Sequence, residues 1–67
     1  MLYTIILLDK DGYELFVDEE ITNLKDAKSL ARSRITEKEF LDAGAYKVEV
    51  RDDHSVNVWD KFAPKKD

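Results

Sequence analysis

Few side chains in this sequence are of kinds that do chemistry, and their spacing limits what each can be. His54 is the single histidine and stands beside Asp52 and Asp53, a pairing in which a carboxylate could orient an imidazole for general-base work. Such catalysis also needs a nucleophile or a second positioned group, and none accompanies it, so His54 reads as a solvated turn residue. Asp9, Asp11 and Gly12 open like a calcium loop, and Glu20 falls where such a loop closes. Glu14, however, occupies the position that must be Gly, and Tyr13 occupies a ligand position. Asp-x-Asp-Gly therefore reads as a hairpin turn without an ion. The absence of cysteine removes disulfides, thiolate zinc sites and a cysteine nucleophile. Neither a Gly-rich phosphate loop nor a Gly-x-Ser-x-Gly elbow occurs. The expectation is a protein that is not an enzyme and takes no metal or cofactor.

Charge offers a second kind of chemistry. Lys25, Lys28 and Arg32 recur at steps of three and four, which places them along one flank of a helix, and Lys65 and Lys66 add a basic tail. This set is the basis of an alternative reading, a nucleic-acid-binding accessory. The formal net charge of -4 repels phosphate backbones, so nucleic acid is the less favoured partner. The acids gather near expected turns and strand ends, Asp52 and Asp53 among them. They serve as solubilising loops, or as carboxylates that steer a partner or imitate phosphates. Along the chain the balance alternates: acidic over residues 1–24, basic over 25–38, acidic over 39–60 and basic over 61–67. Segments folded onto different faces would make a bipolar surface.

The elements that must position these groups follow from periodicity. Residues 2–8, Leu-Tyr-Thr-Ile-Ile-Leu-Leu, read as a strand ending at the Asp9-Lys10-Asp11-Gly12 turn. Tyr13, Leu15 and Val17 then alternate with Glu14, Phe16 and Asp18 in an antiparallel neighbour. Asn23 caps a helix whose apolar stripe is Leu24, Ala27, Ala31 and Ile35. Continued without a break, that helix would point Phe40 away from the stripe. Thr36 and Glu39 have the spacing of a capping box, with Ile35 and Phe40 as its staple. A kink or restart near Thr36 is therefore expected, with a second piece over 37–43 stopping at Gly44. Tyr46, Val48 and Val50 mark a third strand and Val56 and Val58 a fourth, which fades at Asp60. No internal repeat is apparent. The expected fold class is α+β: a single ββαββ domain over 1–61, with a four-stranded, mainly antiparallel sheet and one helix on one face, either kinked near Thr36 or, in the rival reading, continuous from Leu24 to Ala43. Residues 62–67 read as a mobile basic tail.

One helix covers one face of such a sheet, yet strands one, two and four carry apolar residues in both alternating sets. If the valines face the helix, Phe16 and Trp59 stand on the open face as aromatic anchors for a partner; the alternative is that the tail folds over Trp59 through Phe62 and Pro64 and buries it within the monomer. Phe16, Trp59, Asp52 and Asp53 are thus the candidate protein-binding residues.

At 67 residues a chain buries only about 60% of its unfolded surface, so a partner surface is expected on size alone. The apolar run at the start is far shorter than the ~20 residues of a membrane span, and a cytoplasmic protein with nothing to be removed is expected. The YKVEVRDD segment at 46–53, followed by VNVWD at 56–60, resembles many short uncharacterised proteins of bacteriophages and mobile elements. That resemblance implies a stand-alone protein that binds a host or phage protein and modulates or inhibits it. A homodimer is the other partner form expected.

Overall fold

The computed structural model describes residues 1–64. Lys65 and Lys66, the tail cations named above, lie outside the described residues. The elements run β1 (Tyr3–Asp9), β2 (Glu14–Ile21), α1 (Leu24–Arg34), α2 (Lys38–Asp42), β3 (Ala45–Arg51) and β4 (Asn57–Phe62). All four strands form one antiparallel sheet in the order β2-β1-β3-β4. The fold is α+β, as expected.

The helical layer is built where the sequence placed it. The Asn23 side chain accepts from the Asp26 backbone N–H at 2.8 Å and starts α1. Ala27, Ala31 and Ile35 are fully buried against Ile5, Leu7, Val48 and Val50 of the two central strands. The two alanines carry no side chain beyond Cβ, which lets α1 lie close to the sheet.

The helix does break near Thr36, but by another device than a capping box. The Thr36 hydroxyl donates backwards, to the Ser33 carbonyl at 2.9 Å and to the Arg32 carbonyl at 3.4 Å, and so closes α1. Glu37 is the N-cap of α2 and makes no side-chain cap bond. The restart turns Phe40 onto the Phe16 ring, with centroids 4.8 Å apart. Gly44 ends the helical segment at φ +98, a backbone angle that glycine adopts without a Cβ penalty.

β4 runs to Phe62, past the Asp60 at which the alternation fades. Ala63 then donates its N–H to the Tyr46 carbonyl at 2.8 Å and packs on the core.

The two hairpins repeat one another. In the first, Leu7 pairs with Phe16, Ile6 with Val17, Ile5 with Asp18 and Leu8 with Glu14, with a register shift after Leu7. In the second, Val50 pairs with Trp59, Glu49 with Asp60, Val48 with Lys61 and Arg51 with Asn57, with a shift after Val50. These matched positions keep one constant sequence offset. The turns match as well. The Asp9 carboxylate accepts from Asp11 and Tyr13 N–H at 2.9 and 3.0 Å, and the Asp52 carboxylate accepts from His54 and Val56 N–H at 2.9 and 3.0 Å. Each turn also has a left-handed residue in its fourth place, Gly12 at φ 87 and Ser55 at φ 63. A local two-fold passes through the Ile6/Glu49 pair, where β1 meets β3. The chain thus has the internal repeat that was not apparent in its sequence.

Candidate interaction surface

Both helices lie on one side of the sheet, so among the described residues the opposite face is open. The register assigns its residues. Ile6 and Leu8 of β1 are buried, at 5% and 7% exposure, yet they stand outside the core cluster beneath the helices. Ile6 lies between Val17 and Glu49, and Leu8 lies between Glu14 and Lys47. The stems of Glu14, Lys47 and Glu49 shield them, together with Val17, where no helix does.

This placement corrects the expectation for Phe16 and Trp59. Both belong to the helix side: Phe16 packs on Phe40, and both are among the residues packed against the core. Leu15, Val17 and Val58, expected under the helix, are instead exposed on the open face or its margin. The physical reason is reach. β1 and β3 lie directly beneath α1 and need only medium aliphatic side chains, whereas the edge strands β2 and β4 lie to either side. A ring is long enough to fold inward and close each flank of the helical layer, and a valine is not.

The open face has two halves. Leu15, Val17, Ile6 and Leu8 make an aliphatic half on β2 and β1. On β3 and β4 stands a charged ladder edged by aromatics. Glu49 is buried, at 8% exposure, between two cations of its own strand. Lys47 Nζ donates to Glu49 Oε2 at 2.9 Å, and Arg51 donates to Oε1 through Nε at 3.0 Å and Nη2 at 2.9 Å. Asp60 stands 4.0 Å from Lys47. The Lys47 hydrogen bond and ion pair, with help from Arg51, hold the Glu49 carboxyl below its ordinary value. The same contact raises Lys47 above the usual lysine range.

Tyr46 and Phe62 meet edge to face at 5.4 Å, and Lys47 Nζ lies 5.7 Å from the Phe62 ring. Opposite Leu8 the register skips a residue, so that Lys47 pairs with Leu8 and Ala45 with Asp9. The bulge leaves Tyr46 on the open side with Lys47. Leu8, Glu14, Tyr46, Lys47, Arg51 and Phe62 are among the walls of a concavity of about 360 Å³ beside the first turn.

Asp52 and Asp53 belong to the second turn. The Asp52 carboxylate is occupied with the two turn N–H groups, while Asp53 is exposed and stands 3.8 Å from the exposed His54. The Asp9 carboxylate is occupied in the same way in the first turn. Among the described residues no three of His, Asp and Glu come together in a metal-holding group, and no helix is long and apolar enough to cross a membrane. Lys25, Lys28 and Arg32 lie along the flank of α1 that faces β4, where the Arg32 guanidinium sits 5.3 Å above the Trp59 ring.

The open-face residues that the sequence reading missed are Leu15, Val17, Tyr46, Lys47, Glu49, Arg51, Val58 and Phe62. One signal was available: Lys47-x-Glu49-x-Arg51 puts alternating charge on one strand face, which marks that face as the uncovered one. Val48 and Val50 then identify the buried face, and the facing positions of the neighbours follow. Comparison of the chain with protein-family models, curated proteins and solved structures finds no match.

Proposed function

We propose that this chain is a protein-binding module that acts by contact and not by catalysis, with the open sheet face as its contact surface. The observation that carries this reading is an uncovered face that combines exposed Leu15, Val17 and Val58 with the Tyr46/Phe62 pair around a neutralised charge ladder. Tyr46 and Phe62 are 50% and 56% exposed, and aromatic side chains of this kind dominate binding hot spots. Lys47 and Arg51 are balanced by Glu49 and Asp60, so a partner can cover the four without stranding a lone charge. Exposed acids of the turns, Asp53 among them, steer encounter with a basic partner. A phage-borne modulator of a host protein in the cytoplasm is the specific form that the resemblance implies, and a homodimer through the same face is the second form.

The test compares the tagged full chain with a Val17→Lys/Phe62→Ala double variant. Capture from bacterial lysate and sedimentation velocity are measured on both. A stoichiometric partner, or a dimer, that is lost in the folded variant supports the reading. Identical partners and an identical mass for both proteins would sink it.

A further inference from the structure

We propose that the flank between α1 and β4 is a second binding site, one that takes the phosphate backbone of a nucleic acid. Helix periodicity and strand register place four cations along it. Lys25, Lys28 and Arg32 share one flank of α1, and the contact between Arg32 and Trp59, at 5.3 Å, shows that this flank faces β4. Lys61 pairs with the buried Val48 and so stands on the helix side of β4, two residues along from Trp59. Among the described residues none of the four has a carboxylate within ion-pair distance. Arg34, Lys47 and Arg51, by contrast, are each tied to acids. Four unneutralised cations along a helix and the adjoining strand suit a linear polyanion better than a single carboxylate.

The net charge of -4 does not cancel this patch. The acids Asp18, Glu19 and Glu20 belong to β2, the opposite edge of the sheet; of the acids on the site's own elements, Asp60 pairs with Glu49 and so stands on the open face, and Asp26 is hydrogen-bonded to Asn23 at the start of α1. Three inter-strand spacings amount to about 14 Å, and the Debye length is about 8 Å at physiological salt. Screening therefore separates Lys61 from those acids, and on α1 it is Arg34, on the other flank from Arg32, that pairs with Asp18. Trp59 adds an aromatic face to the same site. Placed on the open sheet face, it would be an aromatic platform apart from the cations; in the structure it lies under one of them.

Trp59 is the only tryptophan, so the site has its own reporter. The full chain is titrated with a 20-nucleotide single strand, with the corresponding duplex and with polyglutamate, while Trp59 emission is followed from 50 to 200 mM salt. The expected result is saturable binding of DNA, with log affinity falling against log salt at a slope of about -3 to -4 for four phosphate contacts. In a Lys28→Gln/Lys61→Gln variant the slope should fall by about half. A Val17→Gln/Phe62→Ala variant, which alters the open face without adding a charge, should bind DNA as the parent does, which separates this site from the open face. Three outcomes overturn the proposal: no binding at 50 mM salt; a slope unchanged in the Lys28/Lys61 variant but lost in Lys65→Gln/Lys66→Gln; or polyglutamate binding as tightly as DNA, which would assign the flank to acidic proteins.

Discussion

Glu49 shows how a charge can sit inside a domain this small. Its carboxylate gives up water for three donor contacts, from Lys47 and from two nitrogens of Arg51. Burial of the group is tolerable only while those donors remain. Because its folded pKa lies below its ordinary 4.5, the stability it contributes is in place above that value. It is lost as pH falls through the lowered one. Lys47 has the opposite sense: its contribution is present below 10.5 and is lost as pH rises through the raised value. Glu49→Gln should lower unfolding stability by about 1–3 kcal/mol at pH 7, and by less at pH 3. Urea titrations at the two pH values check this, and an equal loss at both would show that the carboxylate charge is not what stabilises. None of this was legible in the residue types alone. By residue type Lys47-x-Glu49-x-Arg51 is the polar half of an alternating strand, and burial of the middle acid depends on neighbours that only the register supplies.

At the scale of elements, existence and type were read well, and orientation poorly. The Asn23 cap, the Ala27/Ala31/Ile35 stripe, the stop at Gly44 and both turns rest on local backbone chemistry, which a short window of sequence contains. Which face an edge strand turns inward is a tertiary matter. β2 and β4 are apolar on both sides, so their alternation fits either assignment, and only the reach needed beneath a narrow helix favours the rings. Phe16 and Val17 are neighbours on opposite faces and test this directly. Phe16→Ala should cost about 2–4 kcal/mol by opening the contact with Phe40, whereas Val17→Thr should stay within about 1 kcal/mol. Thermal unfolding of the two variants measures the difference, and reversal of the order would invert the assignment of faces. The outer strand also explains why an exposed edge is tolerable. Asn57 accepts the Trp59 N–H at 3.2 Å and donates to Asp60 at 3.1 Å, which removes a donor from the edge that another strand could use.

For the whole molecule, the repeat was hidden because side-chain chemistry diverged while backbone register did not. Ile6 answers to Glu49, Leu8 to Arg51 and Val17 to Asp60, so the matched positions are aliphatic in one hairpin and charged in the other. Of the matched positions named, only the turn aspartates are identical. The repeat also bears on how the chain reaches its fold. Each hairpin closes through a short turn and can form on its own within about 1–10 μs, but an isolated hairpin is only marginally stable. The β1/β3 seam must bring together segments separated by both helices, and such non-local closure is the slow event. Two equivalent hairpins then offer two routes into one transition state, differing only in which is ready first. Asp9→Ala and Asp52→Ala should each slow folding by only part of their equilibrium loss, while Val48→Ala, at the seam, should slow it by nearly all of its own. Stopped-flow refolding of the three variants reads this out. A turn variant that alone carried its full loss into the folding rate would leave a single route. If both routes operate, damage to either turn delays only the molecules that would have started there, and the other hairpin keeps the remainder folding on time.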